Sequence, residues 1–260
     1  MKIRNTLLVM LLAAVVACGG CADVKKSWRW VVSGVAPAPT IDLNTKELND
    51  ENQERLAQEF AQVDTHLQNL YRTMSAQDSY PDDAWIELTL RNYPWLSGLQ
   101  TVDSNGTVML ERAVASMKPV NPKPLIDYGK KWFEREPLSY VDKTDLGPEI
   151  YIANAFFENR NWQGLILVHF DFRSLIRAIG YDGPLIVITK DAILWPGKDE
   201  ATAHELLQAP WEQLTAEEVQ GETSVASNGK TYIWFSRYFG GTKLFYLLAV
   251  QPEESGSWLF

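Results

Sequence analysis

The sequence is poor in cysteine and histidine. Its two cysteines, Cys18 and Cys21, lie near the N-terminus, so the rest of the chain can form no internal disulfide and no cysteine-based zinc site. The three histidines are scattered over separate segments, at His66, His169 and His204. The Gly-x-Ser-x-Gly elbow, the P-loop, the dinucleotide-binding fingerprint and the His-Glu-x-x-His zinc motif are all missing from the sequence. We therefore expect a protein that is not an enzyme and that needs no cofactor or metal ion.

Positive charge is also scarce, with 24 basic residues against 33 acidic ones. This balance argues against nucleic acid as a partner, because clustered Lys and Arg side chains bind the phosphate backbone. The 260 residues, 46% of them hydrophobic, are enough for one large domain or two small ones with real cores.

The N-terminus has the features of a targeting segment. Lys2 and Arg4 precede an apolar run, Leu7–Val16, which is too short to cross a bilayer core of ~30 Å and suits a signal peptide. The run ends in Val15-Val16-Ala17-Cys18, which resembles the bacterial lipobox. We expect lipidation at Cys18, with Cys21 as the competing site. An ordinary secretory signal or an N-terminal anchor helix is the alternative.

Residue 19 is glycine rather than aspartate, which resembles the outer-membrane sorting rule of Gram-negative lipoproteins. The predicted location is therefore the bacterial cell envelope, at the periplasmic face of the outer membrane. Several acyl chains on one cysteine would give stable anchoring.

A long helix is predicted from Asn44 to Met74, with Asn44 as its N-cap. Its apolar residues recur at a spacing of 4-3-4-3-4, at Leu56, Phe60, Val63, Leu67, Leu70 and Met74. This heptad-like stripe has two interpretations. It packs against its own domain, or it forms the seam of a homodimer.

The rest of the chain predicts short antiparallel strands with helical insertions. Asn105-Gly106 is a strong hairpin signal, and Lys118–Pro124, with three prolines, is predicted as a loop. Further strands are predicted at Ile150–Glu158, Trp162–Phe172, Leu185–Thr189, Ala192–Trp195, Thr223–Ala226, Thr231–Phe239 and Lys243–Gln251. Short helices are predicted at Asp82–Arg91, Asp127–Arg135 and Phe172–Ile179. The fold class is α+β, with no sign of the alternating units of a parallel sheet.

The order of these segments resembles the Cache sensor domains, which are extracellular PAS-like domains. The segments that carry the resemblance are YPWLSGLQTVDSNGTV, KKWFEREPLSYVD, EIYIANAFFENRNWQGLILVHFDF, LIVITKDAILWPG and the final YIWFSRYFGGTKLFYLLAVQP. The predicted organisation is a lipoprotein signal peptide (1–17), a tether (18–43), a long N-terminal helix (44–80), a membrane-distal-type PAS-like module with the candidate pocket (81–179), a second, smaller PAS-like module (180–252) and a tail (253–260).

The resemblance implies a ligand pocket in the first module. The amino-acid-binding branch of the family has an Arg-x-Trp-Tyr motif, a later Tyr and a final Asp on a strand. At those positions this sequence has Lys130, Trp132, Phe133, Tyr140 and Asp171. The first three would hold a ligand carboxylate, and Tyr140 and Asp171 would hold its ammonium group. Lysine replaces the planar fork of arginine with a point charge, so the ligand class widens to an amino acid, an amine or a carboxylate.

Each candidate residue also has a structural interpretation. Trp132 and Phe133 fit the core side of a short amphipathic helix, and Lys130 fits a solvated surface. Asp171 fits the cap of the helix that begins near Phe172, and Tyr140 fits a packed tyrosine. His169 shares a strand face with Asp171, so it lines the pocket or, in the minority interpretation, serves acid–base or metal chemistry.

Taken together, the sequence predicts an extracytoplasmic, lipid-anchored protein that binds a small polar ligand in a Cache-like pocket. It would act in sensing through a separate signalling partner. The alternative is a structural or interaction lipoprotein of the envelope that keeps the fold and has no functional pocket.

Overall fold

The computed structural model describes residues 51–113, 118 and 120–251. The predicted signal peptide, the lipidation site Cys18 and its competitor Cys21, the tether, the predicted N-cap Asn44 and the whole tail (253–260) lie outside these residues. The helices are α1 (Glu51–Ser75), α2 (Asp83–Asn92), α3 (Lys123–Ile126), a 3-10 helix (Gly129–Glu134), α4 (Phe172–Ala178), α5 (Glu200–Leu207) and α6 (Trp211–Leu214). Within the described part of the chain, no helix combines the length and apolar character needed to cross a membrane.

The first sheet, sheet A, has five antiparallel strands in the order β2-β1-β5-β4-β3. They are β1 (Gly98–Asp103), β2 (Val108–Ala113), β3 (Leu138–Thr144), β4 (Gly147–Glu158) and β5 (Asn161–Phe170). The predicted Asn105-Gly106 hairpin joins β1 to β2, where Gly106 takes the positive φ of 88° that glycine adopts without strain. The two longest strands, β4 and β5, lie next to each other within the sheet, as their apolar runs require.

The second sheet, sheet B, repeats this arrangement in the order β7-β6-β10-β9-β8. Its strands are β6 (Ile186–Ile188), β7 (Ile193–Trp195), β8 (Gln220–Ser224), β9 (Thr231–Phe239) and β10 (Thr242–Ala249). Counted within each sheet, both orders are 2-1-5-4-3. The fold class predicted from the sequence is therefore confirmed: two antiparallel PAS-like sheets with helical insertions follow a long N-terminal helix.

The apolar stripe of α1 packs against the sheets of its own chain, as the first of its two interpretations predicts. All six stripe residues are buried, and the helix packs on β4 of sheet A and on β9 and β10 of sheet B. The ring of Phe60 meets those of Phe235 and Tyr246 edge to face, with centroids 5.1 and 4.7 Å away. A dimer through α1 would therefore have to use the opposite face of the helix.

A polar contact fixes α1 on sheet B. Asp64 is buried at 3% exposure, accepts a hydrogen bond from Arg237 Nη1, and accepts a second from the hydroxyl of Tyr246 at 3.2 Å. Burial raises the pKa of Asp64, and Arg237 works against that shift. The end of α1 is held by sheet A, because Asn154 Nδ2 donates to the carbonyls of Met74 and Gln77 at 3.0 and 2.8 Å.

The two sheets also meet directly. The turn between β9 and β10 packs against the edge strand β3, where Ser139 Oγ donates to the Phe239 carbonyl and lies 2.8 Å from Thr242 Oγ1. Gly240 has a φ of 59°, and a Cβ at this position would lie 2.8 Å from Ser139 N. Only glycine suits this close approach of backbones.

Three local predictions were wrong. Strand β3 was missed, because only part of Leu138–Thr144 alternates between buried and exposed and Pro137 precedes it. The predicted loop 118–124 runs into the short helix α3, which begins at Lys123 with Pro124 in its first turn, a position where proline is tolerated. The predicted strand Trp162–Phe172 ends at Phe170, because Asp171 turns the chain into α4.

Candidate functional site

Asp171 joins β5 to α4 and has two tasks. Its Oδ1 accepts from the backbone N–H of Arg173 at 2.9 Å, which makes it the N-cap of the helix, and from Arg173 Nε at 3.1 Å. Its Oδ2 lies 2.8 Å from Lys118 Nζ. The capping interpretation from the sequence is therefore confirmed, and Asp171 also belongs to an ionic group.

Lys118 is the cation at the centre of that group. Its ammonium donates to the Pro148 carbonyl at 3.1 Å, to Glu149 Oε2 at 2.9 Å and to Asp171 Oδ2 at 2.8 Å. An ammonium group has three donors, so these acceptors match its full capacity. The side chain is only 8% exposed, which makes this a largely desolvated ion cluster.

Glu149 connects the cation to the sheet. The residue is fully buried on β4, and its Oε1 is hydrogen-bonded to His169 Nδ1 on β5 at 2.7 Å. Burial acts to raise the pKa of Glu149, but hydrogen bonds from His169, Lys118 and Ser97 outweigh it and hold the pKa below its usual value. The pKa of Asp171 is also lowered, because hydrogen bonds from Lys118 and Arg173 outweigh its burial.

A row of stacked rings extends this group across sheet A. Tyr140, Tyr151 and His169 are direct cross-strand neighbours on β3, β4 and β5. The two tyrosine rings stack with centroids 4.8 Å apart, and Tyr151 stacks on the imidazole at 5.3 Å. The hydroxyl of Tyr140 donates to the Asn121 carbonyl. Burial is the largest cause that raises the pKa of both tyrosines well above the usual value. Electrostatic repulsion from Tyr151 and Asp142 adds to the pKa shift of Tyr140, and repulsion from Glu149 and Asp142 adds to that of Tyr151.

We call these six residues the polar cluster: Lys118, Tyr140, Glu149, Tyr151, His169 and Asp171. Three of them, Tyr140, His169 and Asp171, are predicted site residues that the structure brings together. Ligand binding by these three residues stays a prediction.

The other three predicted site residues lie outside the polar cluster. Trp132 is fully buried in the core beside sheet A, and its indole N–H donates to the Leu125 carbonyl at 2.9 Å. Phe133 is 58% exposed, with its ring 5.9 Å from that of Phe157, and Lys130 is exposed on the same 3-10 helix. This short helix directs Trp132 into the core and leaves Lys130 and Phe133 at the surface.

Sequence reasoning missed Lys118, Glu149 and Tyr151. A signal existed for two of them, because Glu149 and Tyr151 alternate with the apolar residues of β4 and so share a face with each other. Lys118 follows Met117 in a proline-rich segment and carried no such signal. Among the described residues, no group of three His, Cys, Asp or Glu side chains could hold a metal ion.

Comparison with known proteins adds information at the level of the fold. No family model matches the sequence, and no curated protein matches it. A solved structure of an extracellular ligand-binding receptor from Desulfohalobium retbaense is similar, with a TM-score of 0.53 and 16% identity over 76% of this chain. The match spans only 39% of that receptor structure.

Two further similar structures are matched over almost their whole length. The extracellular domain of a protein described as a histidine kinase has a TM-score of 0.53 and 13% identity, over 77% of this chain and 97% of its own. A domain of a sensory box/GGDEF family protein from Vibrio parahaemolyticus has a TM-score of 0.52 and 12% identity, over 78% and 96%. These likenesses show that the chain has the Cache-like α+β fold of extracellular sensor domains.

Proposed function

We propose that this protein is the extracytoplasmic ligand-binding component of a sensory system, anchored by a lipid on Cys18 at the periplasmic face of the outer membrane. It binds a small polar ligand at the polar cluster and passes the signal to a separate protein. It performs no catalysis. The fold supports this proposal, since similar structures come from a ligand-binding receptor and a histidine kinase, as their descriptions state.

The observation that carries the proposal is the burial of charge in sheet A. Glu149 is fully buried, and Lys118 is 8% exposed. Removing charged groups from water costs several kcal/mol per ion by general estimates, and apolar side chains of similar size would often be more stabilising. Buried ionisable groups with shifted pKa values are concentrated at functional sites. A cluster of this kind on one sheet is therefore better explained by ligand recognition than by stability.

The arrangement suits a ligand that carries an ammonium group, a carboxylate or both. Lys118 holds Asp171 and Glu149 in a closed set of ion pairs. A zwitterionic ligand would break the ion pair between Lys118 and Asp171 and form two new ones. Its ammonium group would pair with Asp171, and its carboxylate would pair with Lys118. No net charge is then buried, which keeps the desolvation cost low.

A second function is favoured by a different observation. The cluster already satisfies its own polar atoms: Lys118 has three acceptors, and the hydroxyl of Tyr140 donates to the Asn121 carbonyl. Under this alternative the protein is a structural or interaction component of the envelope, and the cluster only specifies the fold.

A thermal-shift screen of amino acids, amines and carboxylates separates the two functions. A ligand that binds only the folded protein raises the melting temperature by mass action. We expect such a shift for the wild type and its loss in Asp171→Asn, which keeps an oxygen for the helix cap and removes the charge. The matched control is Asp199→Asn, because Asp199 caps α5 and, among the described residues, forms no ion pair. No shift with any compound would rule out the sensor and favour the interaction module.

The anchor is tested separately by metabolic labelling with a fatty acid. We expect Cys18→Ser to abolish the label and Cys21→Ser to retain it. The reverse result would move the lipidation site to Cys21.

A further inference from the structure

A cleft of about 620 Å³ lies where the edge strand β3 meets sheet B. Tyr140 lines it and is the one member of the polar cluster that does so. Lys143 lines it from β3, and Lys243 and Tyr238 line it from the β9–β10 hairpin. Lys190 and Trp211 close it from the β6–β7 turn and from α6. This volume suits a small organic molecule.

Two of its three lysines have no carboxylate partner among the described residues. Lys190 lies 3.3 Å from Glu212 Oε1 and is neutralised by it. No carboxylate of the described residues lies within 4.0 Å of the ammonium groups of Lys143 and Lys243, and Lys243 makes only a long 3.4 Å hydrogen bond to the Thr215 carbonyl. Asp191 and Glu212 also line the cleft, so its lining has three cationic and two anionic side chains. The chain as a whole carries a formal charge of −9, so even this small excess makes the cleft locally positive.

The walls of the cleft are aromatic. Trp211 is 2% exposed and belongs to the core of sheet B, while Tyr238 is 60% exposed. Lys243 Nζ lies 5.5 Å from the centre of the Tyr238 ring. Flat apolar surface beside unpaired ammonium groups is complementary to an anion with an apolar body.

We propose that this cleft is a second binding site, which takes a small organic anion, a carboxylate or a phosphate ester with an apolar portion. Lys143 and Lys243 hold the anionic group, and Trp211 and Tyr238 contact the apolar portion. Because Lys143 belongs to sheet A, and Tyr238 and Lys243 belong to sheet B, the bound anion contacts both sheets at their junction. This site does not depend on ligand binding at the polar cluster.

Calorimetric titration of the purified full chain tests the proposal, with phenylacetate and phenyl phosphate as the two anionic probes and benzyl alcohol as the neutral control. We expect saturable binding of at least one anion and none of benzyl alcohol. The stronger probe identifies the anionic group as carboxylate or phosphate. We expect the double variant Lys143→Gln/Lys243→Gln to lose at least tenfold in affinity.

The control for overall charge is Lys123→Gln/Lys198→Gln, which removes two exposed lysines that do not line the cleft and should leave affinity unchanged. Lys243→Arg keeps the charge and should retain binding, which separates loss of charge from misfolding. Asp171→Asn should also bind the anion normally, which keeps this result distinct from the polar cluster. Absence of binding by both anions, or an equal loss in the two double variants, would overturn the proposal.

Discussion

Sheets A and B have the same strand order and rest one face each on α1, but their opposite faces are filled differently. In sheet B that face is a core of apolar and aromatic side chains that includes Trp211, Trp234 and Phe245. In sheet A the corresponding face also has an apolar core, but at one end of it the buried side chains are those of Glu149 and His169. The same strand arrangement thus occurs twice. In sheet B this face is filled with apolar side chains, and in sheet A part of it is filled with ionisable side chains, whose burial costs free energy. The difference supports the proposal that a ligand binds at sheet A.

The largest expected effect concerns the apolar filling of sheet B. Trp211→Ala removes an indole that is 2% exposed, and such changes typically cost ~3–5 kcal/mol through lost burial and the cavity left behind. Denaturant unfolding measures this free energy. Leu88→Ala, at a position 44% exposed, is the control and should stay within ~0.5 kcal/mol. Similar costs for the two variants would contradict the role given to sheet B.

The next effect comes from breaking the ion cluster of sheet A. Lys118→Met leaves Glu149 and Asp171 without their ammonium partner, and removing one member of a buried pair typically costs ~3–5 kcal/mol. Lys190→Met breaks an ion pair whose side chains are 60% and 83% exposed, for which ~0–1 kcal/mol is typical. Unfolding of both variants at pH 7 measures the contrast. Equal costs would show that the cluster is effectively solvated.

Acid should remove part of the stability of sheet A. The pKa values of Glu149 and Asp171 are lowered in the folded state, so their contribution is present above their unfolded pKa values near ~4 and is lost as pH falls below them. The unfolding free energy of the wild type should therefore drop between about pH 5 and pH 2. In Glu149→Gln/Asp171→Asn the drop should be smaller. A parallel decline in both proteins would show that other acids control it.

The sequence predicts those features of the fold that are determined by residues close together in the chain. The Asn105-Gly106 hairpin and the cap at Asp171 are local features, and both were predicted. Strand β3 was missed because its place is given by pairing with β4, which no local pattern encodes.

The site was predicted in part for the same reason. Tyr140, His169 and Asp171 lie on or beside strands whose alternation gives the face of each residue. Lys118 reaches Asp171 from 53 residues away, so no spacing along the chain could pair them. Lys130 and Trp132 were selected by a motif, but a 3-10 helix turns one to the solvent and the other into the core.

A smaller effect compares two helix caps. Asp171→Ala should cost about 1 kcal/mol for the cap, and more through the lost pair with Lys118, whereas Asp171→Asn retains the cap. Asp199→Ala removes a cap and a hydrogen bond from the Thr202 hydroxyl, but no ion pair among the described residues, and should lower the melting temperature less. Melting curves of the three variants test this order. A larger loss in Asp199→Ala would contradict it.

The smallest expected effect is at Lys130. Its side chain is exposed and outside the polar cluster, so Lys130→Ala should change the unfolding free energy by less than ~0.5 kcal/mol. It should also leave the affinity for any ligand found in the thermal-shift screen unchanged. Loss of that affinity would return Lys130 to the site that the sequence predicted.

The attachments of α1 limit how this protein can move. Asp64 is tied to Arg237 and Tyr246 of sheet B, and the helix end at Met74 is tied to Asn154 of sheet A. Sliding the helix by one turn, about 5.4 Å, would separate Asp64 from both partners and leave a charge buried alone. Sliding of α1 along its axis is therefore energetically costly. A change of angle between the sheets would instead bend the eleven residues from Asp64 to Met74, so curvature of α1 is the motion that these attachments leave open.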